Sequence, residues 1–225
     1  MIDWSTIIAS VITALATLTS VVFGHRIFKN RNQDSCDSVC KDPVVKDTLQ
    51  SRNVYKALEF ILAELGGDRA YVIEFHNGNS YLSGRHQQKF SCTHEIVTEG
   101  TSRECIEMQE YKVSNYHSYI SSLIDDGKFF SFDSDKLDDH AFSSLLHSKG
   151  VKSILNVPIK TLNGNIIGIL GVDYVKGNVD LVKIREKFGE EDFELYLLTF
   201  ITAQARVIGG YLIYIIVFFL QSIII

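Results

Sequence analysis

The sequence predicts an α+β domain, an antiparallel sheet with flanking helices, held between two transmembrane helices. Three observations predict it. Two runs rich in β-branched residues, 151–159 and 166–174, face each other across Asn163-Gly164, a hairpin turn signal. Stretches with helical spacing of apolar residues, 44–65 and 193–208, bracket the strands. Both ends of the 225-residue chain, 4–24 and 207–225, are uncharged, and about 20 such residues suffice to cross the hydrocarbon core.

The elements follow in order. Residues 1–25 are expected to be an uncleaved anchor, because Asp3 precedes the apolar run and the basic start of a signal peptide is missing. Its hydroxyls (Ser5, Thr6, Ser10, Thr13, Thr17, Thr19, Ser20) suit helix–helix association in a membrane. Residues 26–43 form a linker, and the folded domain is expected over 44–206. Val45, Leu49, Val54, Leu58, Ile61 and Leu62 mark its first helix, stopped by Gly66-Gly67. A strand at 69–75 leads into a turn at 76–80. The next strand, 89–97, alternates Phe90, Cys92, His94 and Ile96 against Ser91, Thr93 and Glu95. Residues 102–132 mix helix and loop signals, with a turn at Asp125-Asp126-Gly127, and a short helix at 140–148 precedes the hairpin. The last helix can run directly into the apolar tail 207–225, expected to be a second transmembrane helix. His25, Arg26, Lys29 and Arg31 after the first segment and Arg206 before the second place the domain in the cytosol.

Composition narrows the function. Net charge is −5 with scattered basic residues, which argues against nucleic-acid binding. No G-x-S-x-G, P-loop or kinase signature is present, so no enzyme is expected. Cys36 and Cys40 lie one helical turn apart without a second close pair; with Cys92 and Cys105 they read as reduced thiols, ahead of a disulfide or a metal site. Asp133, Asp135, Asp138 and Asp139 lack the order of a calcium loop and read as a solvated face.

The candidate binding residues cluster around the first two strands. Glu74, His76, Asn77, Gly78 and Tyr81 stand at a strand end and turn, where a pocket mouth is well placed. Ser91, Thr93, His94 and Glu95 meet them if the strands pair. Imidazole, amide, hydroxyl and carboxylate together suit a small polar ligand; the plain alternative is that Asn77-Gly78 only turns the chain. A metal site from His76, His86, His94 and Glu95 lacks the close spacing such sites show, so none is expected. The cofactor is unknown.

The passage from Gly150 to Lys160, the Asn163-Gly164 turn and residues 166–173 resemble the closing hairpin of GAF domains. The resemblance covers 44–208 and implies a small-molecule-binding, dimerising sensory module of the PAS-like group. The expected function is therefore a membrane-tethered, non-catalytic module for a small ligand or partner, in a homo-oligomer. A second resemblance rests on Ala203-Gln-Ala-Arg-Val-Ile-Gly209, which is similar to the end of T-even phage holins. It implies a membrane protein timing host lysis, although the domain of those holins is periplasmic. A third reading is a GAF-like dimerisation scaffold without a ligand.

Overall fold

The structure, a computed structural model, describes residues 42–188 and 193–223, with side chains described no further than Leu212. The chain divides into two compact units, Met1–Leu49 and Gln50–Ile225. The expected anchor 1–25, Cys36, Cys40 and the linker as far as residue 41 lie outside the described residues.

Helix α1 (Pro43–Leu65) opens where Asp42 Oδ1 accepts the Val44 N–H at 2.8 Å, with proline in the first turn, where no donor is needed. It ends at Gly66, whose φ of 65° is open to glycine at no steric cost. Val54, Leu58, Ile61, Leu62 and Leu65 form its buried stripe.

Six strands follow: β1 (Arg69–Ser80), β2 (His86–Val97), β3 (Tyr111–Lys112), β4 (Phe129–Ser131), β5 (Ser153–Lys160) and β6 (Ile166–Tyr174). They make one antiparallel sheet in the order β3-β2-β1-β6-β5-β4. Between them lie α2 (His117–Asp125) and α3 (His140–Ser148); after them come α4 (Leu181–Phe188), which the sequence reading missed, and α5 (Phe193–Ile223). The ambiguous stretch 102–132 resolves into β3, a 3-10 turn (Val113–Tyr116), α2 and β4. Asp139 caps α3 by accepting the N–H groups of Ala141 and Phe142 at 3.1 and 3.0 Å. That gives one acid of the aspartate-rich loop a structural duty. Among the described residues no cluster could hold a metal ion.

The sheet separates two cores. On one face α1 and α5 pack on alternate strand residues, with Ala70, Val72, Leu155, Val157, Leu170 and Val172 meeting Leu58, Ile61, Leu197, Ile201 and Ile208. On the other face α2, α3 and the segment before them cover Tyr71, Ile73, Phe90, Cys92, Ile154 and Ile169. Ala205 and Ile208 are buried, and a Cβ on Gly209 would meet Ile159 Cγ2 at 3.0 Å. The stretch Ala203–Gly209 therefore has a packing role in the domain. The backbone of α5 continues to Ile223; side chains from Ile213 on lie outside the description. Among the described residues no helix is long and apolar enough to cross a membrane.

Two expectations need correction. Residues 76–80 are not a turn: β1 runs on, pairing Asn77 with Gln88 and Ser80 with His86, and the chain reverses at 81–85 around Gly84 (φ 77°). Gly78 serves a close approach instead, since a Cβ there would sit 2.7 Å from the Gln87 carbonyl oxygen. The faces of β2 also differ. A register shift opposite Val72/Ile73 inserts Thr93, so Phe90 and Cys92 face α2 and α3, His94 and Ile96 face α1, and Glu95 returns to the side of Cys92.

Two glycines test the packing. A Cβ on Gly168 would fall 2.4 Å from the Ile73 carbonyl oxygen, against backbone that cannot yield. Gly168→Ala is expected to cost about 2–3 kcal/mol by denaturant unfolding, while Gly177→Ala, with open space around it, should change stability by less than about 0.5 kcal/mol.

Candidate functional site

The α2/α3 face carries charge in its interior. Arg69, 1% exposed, opens β1 and points into this face. Its Nη1 donates to Asp173 Oδ2 at 2.8 Å, and Nη2 donates to the Ser102 carbonyl at 3.1 Å. Its Nε lies 3.4 Å from Glu95 Oε1, and Nη2 lies 3.7 Å from Glu104 Oε1. Glu95 in turn accepts the backbone N–H groups of Glu104 and Cys105 at 2.8 and 3.2 Å. Tyr71 donates at 3.1 Å towards Asn156 Oδ1 and Asp173 Oδ1, and Asn156 Nδ2 donates to the Tyr119 hydroxyl at 2.6 Å. A buried charge survives only when partnered, and here one guanidinium serves three carboxylates.

Burial pushes the Asp173 carboxyl up to about 6, against the pull of Arg69 and the Tyr71 hydroxyl. Burial likewise raises the Tyr71, Tyr119 and Cys92 groups, so none ionises near neutrality. Lys149, at the end of α3, is buried too; its ammonium has no hydrogen-bond partner among the described residues and lies over the Tyr111 ring at 5.7 Å. Burial pushes it down, opposed by Glu104 and Asp173. Cys92 and Cys105 are free thiols, and Cys105 Sγ donates to the Cys92 carbonyl at 3.1 Å.

Beyond this cluster the face turns apolar. Tyr119 and Phe142 stack at 4.0 Å, with Phe129 edge-on to both. Past them a cleft of about 230 Å³ opens under α2, lined chiefly by Phe75, Ile120, Leu123, Ile124, Pro158 and Ile169. No acidic or basic side chain lines it. A second cleft, of about 250 Å³, lies where α1 meets β1 and α4, but two of its lysines already pair across it: Lys187 with Glu64 at 2.6 Å and Lys176 with Asp68 at 3.4 Å. The apolar cleft is the stronger candidate, because its lining has no internal partner to satisfy it.

The residues expected to form the site are divided among three places. Glu74, His76, Ser91, Thr93 and His94 do meet, but on the α1 side of the sheet. Thr93 donates to Glu74 at 2.7 Å, His76 Nε2 lies 2.9 Å from Ser91 Oγ, and His94 lies 3.1 Å from Ser51 Oγ and edge-on to Tyr55. Asn77, Gly78 and Tyr81 stand at the far end of the β1–β2 hairpin, where Gln87 donates to the Tyr81 hydroxyl at 2.9 Å. Glu95 alone belongs to the buried cluster. Sequence reasoning missed Asp173, Asn156, Tyr119 and Lys149. Asn156 and Asp173 had a signal, each a polar residue in an apolar strand run. The cleft residues had none, since α2 was not resolved from its surroundings.

The GAF domain model matches residues 52–208. No curated protein matches the chain. Among solved structures, the blue-light absorbing form of the PixJ GAF domain from Thermosynechococcus elongatus is 15% identical, at a TM-score of 0.54, over 79% of this chain and 92% of its own. The third GAF domain of Slr1393 from Synechocystis sp. PCC6803 in its photoproduct state is 13% identical, at 0.53, over 76% and 98%. The GAF domain region of a Geobacter sulfurreducens PCA protein is 15% identical, at 0.51, over 75% and 96%. At these identities the likeness is one of fold.

The cluster makes two predictions. Arg69→Met strands Asp173 and Glu95 and should cost about 3–5 kcal/mol; adding Asp173→Asn should recover part of it, measured by denaturant midpoints. The raised Asp173 carboxyl binds its proton more tightly folded than unfolded. Its contribution is therefore complete below about pH 4 and lost as pH rises through about 6. Stability followed from pH 4 to 7 should show that decline, and Asp173→Asn should flatten it.

Proposed function

The chain belongs to the GAF domain family, and from that membership we propose that it is a non-catalytic sensory module that binds a small, mostly apolar molecule in the cleft under α2. The observation that carries this reading is the cleft: an uncharged hollow of about 230 Å³ opening on the second core of the sheet. It lies somewhat below the usual range for drug-sized ligands, so the ligand is small. The blue-light absorbing PixJ domain shares this chain's fold; here the stack of Tyr119, Phe129 and Phe142 fills much of the α2/α3 face. That favours a compact ligand over an extended chromophore.

The reading includes a membrane tether. The uncharged run 4–24 supports it, and the basic residues after it support a cytosolic domain; Ile208 and Leu212 are packed in the domain core, so the second span expected over 207–225 does not begin at 207. Self-association through α1 and α5 belongs to it as well: Phe60, Leu195 and Val207 are exposed on these helices. A ligand wedged against α2 would act on the sheet that α1 and α5 grip from behind. The lysis reading has less support, because the Ala203–Gly209 stretch is accounted for by packing against β5.

Two experiments test this. Octanol titrated into the full chain in lipid nanodiscs, corrected for empty nanodiscs, is expected to bind saturably; Ile124→Trp, at a half-exposed position on the cleft rim, should abolish that binding. Non-saturable binding, or no effect of the tryptophan, would count against the cleft. In a bacterium expressing the full chain, Cys36 and Cys40 should react with an impermeant thiol reagent only after permeabilisation, and growth should be normal. Labelling of intact cells with abrupt lysis would favour the holin reading instead.

A further inference from the structure

A second hollow adjoins the apolar cleft. It measures about 170 Å³ and is lined by Tyr81, Arg85, His86, Gln87, Gln88, Val113 and Ser114. Gln88 and Val113 line both hollows, so the two lie side by side there. Together they reach roughly 400 Å³, within the ordinary range of small-molecule sites. Their chemistry is opposite. The first is apolar; the second has a guanidinium, an imidazole, two hydroxyls and two amides, and no acid lines either.

The polar hollow is arranged to meet an anion. Arg85 stacks over the Tyr81 ring at 4.9 Å, which keeps its guanidinium at this tyrosine. The Tyr81 oxygen accepts from Gln87 Nε2 at 2.9 Å, which leaves its own proton to donate. Lys112 acts on the same hydroxyl through space, and with Arg85 it draws the group below its ordinary range, behind the larger effects of Gln87 and Ser114. The neighbouring acid, Glu110, is already held by Lys89. An anion at this position would find a bidentate cation and a hydroxyl donor without competition.

We propose that the two hollows form one site for an amphiphile: a short apolar chain in the cleft under α2, and a carboxylate or phosphate head between Arg85 and Tyr81. This rests on the cleft reading above and names the class of ligand it takes. The hydroxyl, guanidinium and apolar wall then measure head and tail separately, so neither a plain hydrocarbon nor a free anion satisfies the whole site.

The test compares octanoate, octyl phosphate and octanol on the full chain in nanodiscs, with empty nanodiscs as the reference. Octanoate or octyl phosphate should bind saturably and at least about tenfold more tightly than octanol, as expected for a charge-assisted hydrogen bond. Which of the two binds better identifies the head. Arg85→Gln, at an exposed position, should bring both anions down to the level of octanol, and Ile124→Trp should weaken all three. Equal affinities for octanol and both anions, or an advantage that survives Arg85→Gln, would overturn the proposal and leave the cleft reading standing. If none of the three binds, the cleft reading falls and the proposal with it.

Discussion

A guanidinium buried in the face of a sheet constrains everything around it. Arg69 enters at the first residue of the central strand, and its charge is tolerable only because Asp173, Glu95 and Glu104 converge on it from β6, β2 and the loop after β2. Those partners hold the register. Asp173 lies directly across from Arg69 in the β1–β6 pairing, and a one-residue slip would move it to the opposite face. The β2 bulge belongs to the same arrangement. Were β2 regular, with Thr93 in the alternation and no bulge, Glu95 would face α1 and Arg69 would lose one carboxylate.

The cluster also divides the labour of the two faces. On the α1/α5 side the core is aliphatic and close-packed, the property of a rigid mount. On the α2/α3 side the interior changes along the strands, from ions at the start of β1, through stacked aromatic rings, to an open apolar cleft at its far end. One end is thus locked by charge and the other is left incompletely filled. A ligand site on a locked sheet is preorganised, so little of the binding energy is spent in ordering the protein.

Much of this was legible in the residues. The 166–174 strand and its Asn163-Gly164 turn stand where alternation and turn chemistry put them, and α1 stops at Gly66 because only glycine enters the left-handed region at no cost. The pairing that brings Ser91 to His76 and Thr93 to Glu74 was also foreseeable from the two runs. The destination of those pairs was not. A bulge is one extra residue with no composition signal of its own, yet it decides which side chains of β2 face α2 and the cleft.

The sequence by itself determined the class of the domain, its hairpin, its bracketing helices and the apolar character of both ends, because these follow from local periodicity and turn chemistry. Only the tertiary structure decided where the candidate site lies. Arg69 and Asp173 are separated by most of the domain in sequence and meet through strand pairing. The cleft exists only where α2 passes over Phe75 and Ile169, and the basic hollow only where the β1–β2 hairpin tip meets Val113 and Ser114. Cavities arise between elements, from the space their packing leaves over, and no stretch of residues encodes that space alone.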